Sequence, residues 1–128
     1  MPWVNLAELE SLAKAALPPM VFDYFASGSN DEVTLRENRA AYERISLAYR
    51  VLAGVGERTM ATTLLGTARP TPVLVAPMAF QRLAHPDGEL AVARAASAVG
   101  ATMVLSTLST VAMETVIAAT TSPVWFQL

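Results

Sequence analysis

The sequence contains no cysteine and only one histidine among its 128 residues. Without cysteine, the chain can form neither disulfide bonds nor thiolate zinc sites, and it has no cysteine nucleophile. One imidazole is too few for most histidine metal sites, so we expect no bound metal. Charge is sparse and nearly balanced, with 9 basic and 11 acidic residues. Because no basic patch stands out, we expect no binding to nucleic acid.

Targeting and membrane segments are also lacking. The first residues, Met1 to Asn5, do not show the basic and then apolar regions of a signal peptide. No uninterrupted apolar run approaches the ~20 residues that cross a bilayer, so we expect a soluble, cytoplasmic protein. Hydrophobic residues nevertheless make up 53% of the chain, and the mean hydropathy is +0.39. Such a composition indicates strands covered on both faces, or an apolar surface that meets a partner.

Residues 1–60 predict three helices and an irregular connection. Asn5 can cap a first helix whose apolar residues follow a 3.6-residue period. Pro19 is suited to the first position of a second helix. Asn30 or Asp31 can cap a third, and the stretch 46–59 has no regular pattern.

Residues 61–128 predict a small hairpin around Gly66 and then three strands that alternate with helices. The first of these strands is the apolar run Val73 to Phe80, which we expect to be buried and to stop at Pro77, where a backbone donor is missing. The other strands are expected at 102–106 and 123–128, and the helices at 86–100 and 111–119, the latter capped by Ser109 or Thr110. This alternation predicts a parallel sheet with right-handed crossovers, and such folds place their sites at the carboxyl ends of the strands.

Several residues near those strand ends have both a structural and a functional interpretation. Taken alone, Pro77 simply ends a strand, and Ser106 is typical of a strand end or helix cap. Gln127 is balanced between the two interpretations, because burying an unpartnered amide in an apolar strand costs on the order of 1–3 kcal/mol. Tyr24, in an amphipathic helix, is typical of a core side chain with a solvated hydroxyl. We interpret His85 as structural, since it precedes a helix.

A series of short motifs runs through nearly the whole chain in a fixed order: Leu17-Pro18, Phe22-Asp23-Tyr24-Phe25-Ala26-Ser27-Gly28, Thr34-Leu35-Arg36-Glu37-Asn38, Ala76-Pro77-Met78-Ala79, His85-Pro86-Asp87-Gly88-Glu89, Ala93-Arg94-Ala95-Ala96, Leu105-Ser106-Thr107 and Phe126-Gln127-Leu128. This order resembles the amino-terminal part of the FMN-dependent 2-hydroxy-acid oxidase and dehydrogenase family, which includes glycolate oxidase, lactate oxidase and mandelate dehydrogenase. The family fold is a (β/α)8 TIM barrel preceded by helices, and a barrel of this type needs roughly 250 residues. The resemblance therefore implies an α/β fragment of one domain. Residues 1–60 would be the helices and connection, and residues 61–128 the hairpin and roughly the first three barrel strands.

The resemblance implies FMN as cofactor and an (S)-2-hydroxy acid as substrate, oxidised to a 2-oxo acid by hydride transfer to flavin. In the family, the loop after the first barrel strand places backbone groups against the flavin; here it comprises Pro77, Met78 and Ala79. By the same resemblance, Ser106 and Gln127 would bond the flavin pyrimidine, and Tyr24 the substrate carboxylate. The family's catalytic base and phosphate site lie further downstream. No catalytic residue is thus expected in this chain, which would be inactive without the remainder of the barrel.

Two other functions stay open at this point. One is a non-catalytic half-barrel module that assembles with another chain. The other is a fragment of a different FMN-binding barrel, such as a type 2 isopentenyl-diphosphate isomerase relative, although the Tyr24 segment belongs to the hydroxy-acid group. The family is often homo-oligomeric. Leu108 stands where glycolate oxidases place a bulky aromatic residue, which hints at room for a larger substrate side chain.

Overall fold

A computed structural model describes residues 4–128, which divide into two compact units between Gly54 and Val55. The first unit is helical, and the second contains two small sheets with their connecting helices. The three-stranded parallel sheet of the second unit is not closed into a barrel by the described residues. Among these residues, no helix is long and apolar enough to cross a membrane.

The first unit contains helices α1 (Glu8–Ala16), α2 (Pro19–Ala26) and α3 (Val33–Glu43). The predicted Asn5 cap of α1 is not observed as such, because Ala7 directly precedes the helix and no side chain caps it there. The Asn5 side chain still accepts a hydrogen bond from the Glu8 amide at 3.3 Å, which connects the preceding turn to the first residue of α1. Pro19 occupies the first turn of α2, which confirms its predicted position.

The predicted cap of α3 is wrong. Neither Asn30 nor Asp31 caps this helix, because Glu32 precedes its first residue with a left-handed φ of 55°. A side-chain cap needs an extended residue at that position. The Glu32 carboxylate instead accepts a hydrogen bond from the Gly28 amide at 3.0 Å and closes the turn between α2 and α3.

The second unit opens with an antiparallel hairpin of β1 (Thr62–Leu64) and β2 (Thr67–Arg69). Its two-residue turn, Leu65-Gly66, has positive φ at both positions, the geometry of a type I′ turn. The hairpin predicted around Gly66 is confirmed.

The main sheet is parallel, with strand order β3 (Leu74–Val75), β4 (Thr102–Leu105) and β5 (Val124–Phe126). A 3-10 helix (Gln81–Leu83) and α4 (Gly88–Ala98) connect β3 to β4, and α5 (Met113–Ala118) connects β4 to β5. The predicted alternation and parallel pairing are confirmed. Burial of the first strand is not: β3 has two residues, lies at an edge of the sheet, and leaves Leu74 36% exposed.

The core lies between this sheet and the helices that cover it. Met103 and Leu105 of β4 and Val116 of α5 are at most 2% exposed, and Ala93 and Ala96 pack against them from α4. Small side chains on α4 allow its axis to approach the sheet closely. The central strand β4 is therefore held firmly, and with it the residues that follow its carboxyl end.

Candidate functional site

The carboxyl ends of the three parallel strands meet at one edge of the sheet. Leu105 of β4 pairs with Phe126 of β5, and the Gln127 amide donates to the Leu105 carbonyl at 2.9 Å, so Ser106 and Gln127 follow paired residues. On the other side of β4, the Phe80 amide donates to the Leu108 carbonyl at 3.1 Å. The structure thus brings the 77–79 loop, Ser106 and Gln127 to the same edge.

The Ala79 amide is a donor at this edge that the described residues leave unused. Ala79 is half-buried, and within residues 4–128 no acceptor lies within hydrogen-bond distance of its N–H. Ser106 is 5% exposed, and its Oγ accepts from the Leu108 amide at 3.2 Å, as an ordinary strand-end serine does. Its hydroxyl proton is not used in that bond and can still be donated to another group.

Gln127 differs from the expectation of a glutamine buried in a strand. It follows the last residue of β5 and is exposed. Its main chain is held on both sides, since its amide donates to Leu105 and its carbonyl accepts from the Thr107 hydroxyl. Within the described part of the chain the carboxamide has no partner, so it presents a donor and an acceptor on a fixed backbone.

Tyr24 lies on α2, in the other compact unit. It is 49% exposed, so the core position that its helix pattern favours is not observed. Its ring meets Phe25 edge-on, with 5.1 Å between the ring centroids. His85 accepts a hydrogen bond at Nδ1 from the Asp87 amide at 3.1 Å, which supports its structural interpretation.

Glu89 is a residue of this region that the sequence analysis did not single out as functional. Its side chain is fully buried, and its carboxylate accepts hydrogen bonds from the Thr110 amide (2.8 Å), the Thr110 hydroxyl (2.6 Å) and the Gln81 amide (3.4 Å). Burial by itself raises the pKa of Glu89, but these bonds and one from its own amide hold the pKa below its ordinary value. A glutamate in the first turn of a helix is ordinarily a surface residue, so the sequence offered no signal of this role.

The same contacts explain why the predicted cap of α5 is wrong. The helix begins at Met113 after Ala112, with no side-chain cap. Thr110 directs its hydroxyl at Glu89, and the Ser109 hydroxyl bonds to both the amide and the carbonyl of Val111. Both hydroxyl groups are therefore engaged in other hydrogen bonds and do not cap α5.

Gln81 is a second residue that sequence reasoning missed. It is 5% exposed, and its Nε2 donates to the Met78 carbonyl at 3.3 Å. Its Oε1 is buried without a partner among the described residues. The Gln81 side chain thereby fixes the peptide unit that joins Met78 to Ala79 and carries the Ala79 N–H.

These groups fit one edge of a flavin ring. A main-chain N–H, a hydroxyl and a carboxamide supply neutral donors and acceptors at one edge of the sheet, which suits the carbonyl and nitrogen atoms of a flat heterocycle. The three residues follow the carboxyl ends of three different strands of one sheet. They are uncharged, so a phosphate group would need other residues.

Comparison with known proteins identifies relatives of this chain. A family model described as FMN-dependent dehydrogenase matches residues 13–128. The chain is 52% identical to an L-lactate oxidase of Nostoc sp., over 98% of this chain and 35% of that protein. It is 49% identical to glycolate oxidase 3 of Oryza sativa subsp. indica, over 97% of this chain and 34% of that protein.

Solved structures of similar proteins share the fold. A mandelate oxidase crystallised with 3,3-difluoro-2-hydroxy-3-phenylpropionic acid matches with a TM-score of 0.90 and 43% identity, over 98% of this chain and 38% of that one. A lactate oxidase of Pediococcus acidilactici matches with a TM-score of 0.91 and 40% identity, over 100% of this chain and 36% of that one. The chain thus spans about a third of the length of the relatives that it matches.

Proposed function

The chain belongs to the FMN-dependent dehydrogenase family, and from this premise we propose that it supplies one wall of the FMN site of an (S)-2-hydroxy-acid oxidoreductase. Bound FMN would supply the hydride acceptor that converts a 2-hydroxy acid into a 2-oxo acid. The observation that carries the proposal is the meeting of Ala79, Ser106 and Gln127 at the carboxyl edge of one parallel sheet.

Each residue of the wall has a definite task. The Ala79 amide donates to the reactive edge of the ring, where a small side chain allows close approach. The Ser106 hydroxyl and the Gln127 carboxamide bond the polar atoms further along the ring. Tyr24, from the helical unit, donates its phenolic O–H to the substrate carboxylate. Leu108 is exposed beside this edge and would leave room for a larger substrate side chain.

In this proposal, proton abstraction and binding of the flavin phosphate belong to later strands of the barrel. The partner of this chain is therefore the remainder of the barrel, on the same or a separate polypeptide, and its ligand is a small 2-hydroxy acid. We propose that the 128 residues alone neither retain stoichiometric FMN nor turn over.

The test joins this chain to the remaining two-thirds of the Nostoc relative and compares the hybrid with each part alone. We expect the hybrid to retain FMN and to oxidise glycolate, lactate or mandelate, and each part alone to do neither. Gln127→Ala in the hybrid should weaken FMN binding about tenfold or less, which corresponds to the loss of one hydrogen bond, without lowering the melting temperature. Turnover by the 128 residues alone, or a hybrid that folds without binding flavin, would contradict the proposal.

A second candidate is a non-catalytic half-barrel that assembles with another chain. It is favoured by the apolar residues that β3 and β5 expose, Leu74 at 36% and Phe126 at 45%. Size-exclusion chromatography of the chain with and without FMN separates the two. A single defined oligomer whose size does not change when FMN is added supports the assembly module. Irregular aggregates that become soluble when the rest of the barrel is supplied support the flavin-site proposal.

A further inference from the structure

Glu89 connects two loops that the flavin site needs at a fixed spacing. The first loop follows β3 and reaches Gln81, whose amide donates to Glu89 Oε1. The second follows β4 and reaches Thr110, whose amide donates to Oε1 and whose hydroxyl donates to Oε2. One carboxylate on a third element, α4, therefore holds both loops.

Further bonds join the same two loops directly. The Phe80 amide donates to the Leu108 carbonyl at 3.1 Å, and the Arg82 amide donates to the Thr110 hydroxyl oxygen at 3.3 Å. The Thr110 hydroxyl thus accepts from one loop while it donates to Glu89. Ala79 lies next to Phe80, and Ser106 lies two residues before Leu108, so displacement at either bond moves a proposed flavin contact.

The start of α4 is built to bring this carboxylate into place. Gly88 has a φ of 44°, and a Cβ at that position would lie 2.8 Å from Arg82 Cγ and 3.2 Å from the Arg82 amide nitrogen. Glycine therefore lets α4 begin directly against the 3-10 helix. Glu89, one residue later, is fully buried there, and within the described residues it has no ion-pair partner.

The bonding pattern favours a positioning role over a catalytic one. The donors to Glu89 are the Gln81 amide, the amide and hydroxyl of Thr110, and its own amide. Hydrogen bonds to a charged acceptor are stronger than neutral ones. A buried charge held by several donors resists displacement, because a lost bond leaves part of the charge unsatisfied. Such a group is suited to fixing geometry.

We propose that Glu89 is a positioning residue of the flavin site, which fixes the β3–α4 loop against the β4–α5 loop so that the Ala79 amide and the Ser106 hydroxyl keep their spacing along one ring edge. This inference rests on the function proposed above. It adds a residue that would not touch cofactor or substrate, and it makes Thr110 the partner through which Glu89 acts.

The test uses the FMN-loaded hybrid of this chain with the remainder of the Nostoc relative, and two variants of one side chain in it. Thr110→Val removes the hydroxyl at constant shape, and Thr110→Ser keeps it. We expect Thr110→Val to weaken FMN binding at least about tenfold and to shift the flavin absorption bands and midpoint potential, because small displacements of binding groups have large effects on a site. Thr110→Ser should restore all three.

Ser109→Ala is the matched control, since it removes a neighbouring hydroxyl whose hydrogen bonds, within residues 4–128, are to Val111 alone. It should leave the bound flavin unchanged. If Thr110→Val does not fold, the same flavin properties are measured for Glu89→Gln in the same FMN-loaded protein. This substitution replaces one carboxylate oxygen, an acceptor, by an amide group that donates, so it disrupts the same contacts.

The outcomes separate this inference from its premise. A hybrid with the wild-type sequence that folds but binds no FMN overturns the proposed function and this inference with it. A wild-type hybrid that binds FMN, with Thr110→Val or Glu89→Gln lowering the melting temperature but leaving FMN affinity, absorption spectrum and midpoint potential close to those of wild type, overturns the inference alone. Loss of those flavin properties in Thr110→Val and their recovery in Thr110→Ser support it.

Discussion

At the scale of single residues, Glu89 shows that hydrogen bonds can outweigh burial. Removing a carboxylate from water disfavours its charged form and so raises the pKa of Glu89. The donors from Thr110, from Gln81 and from its own backbone favour the charged form, and the net result is a pKa below the ordinary value of 4.5. The folded protein therefore holds this proton less tightly than the unfolded chain does.

The pH dependence of stability follows from that sign. A carboxyl whose folded pKa is lowered contributes its full stability above its unfolded pKa, here about 4.5, and that contribution is lost as the pH falls through the folded pKa. We expect Glu89→Gln to lower the free energy of unfolding at neutral pH and to flatten its fall under acid conditions. Denaturant titrations of both proteins on the two sides of pH 4.5 measure the effect.

Glu114→Gln is the control for this prediction, because Glu114 also lies in the first turn of a helix but is exposed. It should keep the acid dependence of the wild type. An acid dependence in Glu89→Gln as steep as that of the wild type would show that Glu89 does not contribute to it.

At the scale of elements, the junction after α4 depends on one glycine. Gly100 has a φ of 72°, and a Cβ there would lie 2.7 Å from Cγ of Pro70, just after β2. The left-handed conformation is common for the residue that follows a helix end, where glycine is favoured. The missing side chain lets the helix end approach the hairpin.

Alanine substitutions can separate these two roles. Gly66 has a similar φ of 76° but no atom within 4 Å of its built Cβ. Gly66→Ala should therefore cost only the left-handed penalty of about 1–2 kcal/mol. Gly100→Ala should cost that and a further ~1–3 kcal/mol of overpacking. Thermal or denaturant unfolding of both variants measures the difference, and equal losses would mean that Pro70 moves aside freely.

The elements themselves could be predicted from the sequence, and several of their details could not. Apolar runs and turn residues fix the order of helices and strands, because hydrophobic period and glycine position are local properties. The predicted cap at Thr110 is wrong because a distant residue decides its bonding: the hydroxyl donates to Glu89, which is 21 residues away. The predicted cap of α3 is wrong for a local reason, the left-handed conformation of Glu32. The exposure of Gln127 could not be predicted for a similar reason, since it depends on where β5 ends relative to β4.

The same division holds for the candidate site. That Ser106 and the 77–79 loop share an edge follows from parallel pairing, which the pattern predicts. The Glu89 contacts do not follow from any pattern, because a carboxylate in the first turn of a helix has the same local sequence whether it is solvated or buried. Only the packing of α4 against the 3-10 helix, through Gly88, distinguishes the two.

At the scale of the whole molecule, the high hydrophobic content is explained by surface rather than by core. The fully buried side chains of the core are few and mostly small, while residues such as Leu74, Leu108 and Phe126 are exposed. Of the two explanations that composition allows, an apolar surface that meets a partner fits the described residues better. In the relatives, which are about three times as long, further chain is available to cover such a surface.

The edge of β3 gives this idea a direct test. Within residues 4–128, β3 pairs only with β4, so its other side presents unpaired backbone groups beside the exposed Leu74. Unprotected edges of this kind promote association of sheets, and an added lysine opposes it. We expect the 128-residue chain alone to associate, and Leu74→Lys to raise the concentration at which it does so by about tenfold, equivalent to about 1.4 kcal/mol.

Leu65→Lys, at the exposed turn of the hairpin, is the matched control and should leave association unchanged. Light scattering across a dilution series measures all three chains, and equal effects of the two lysines would show that general charge, rather than the β3 edge, governs association.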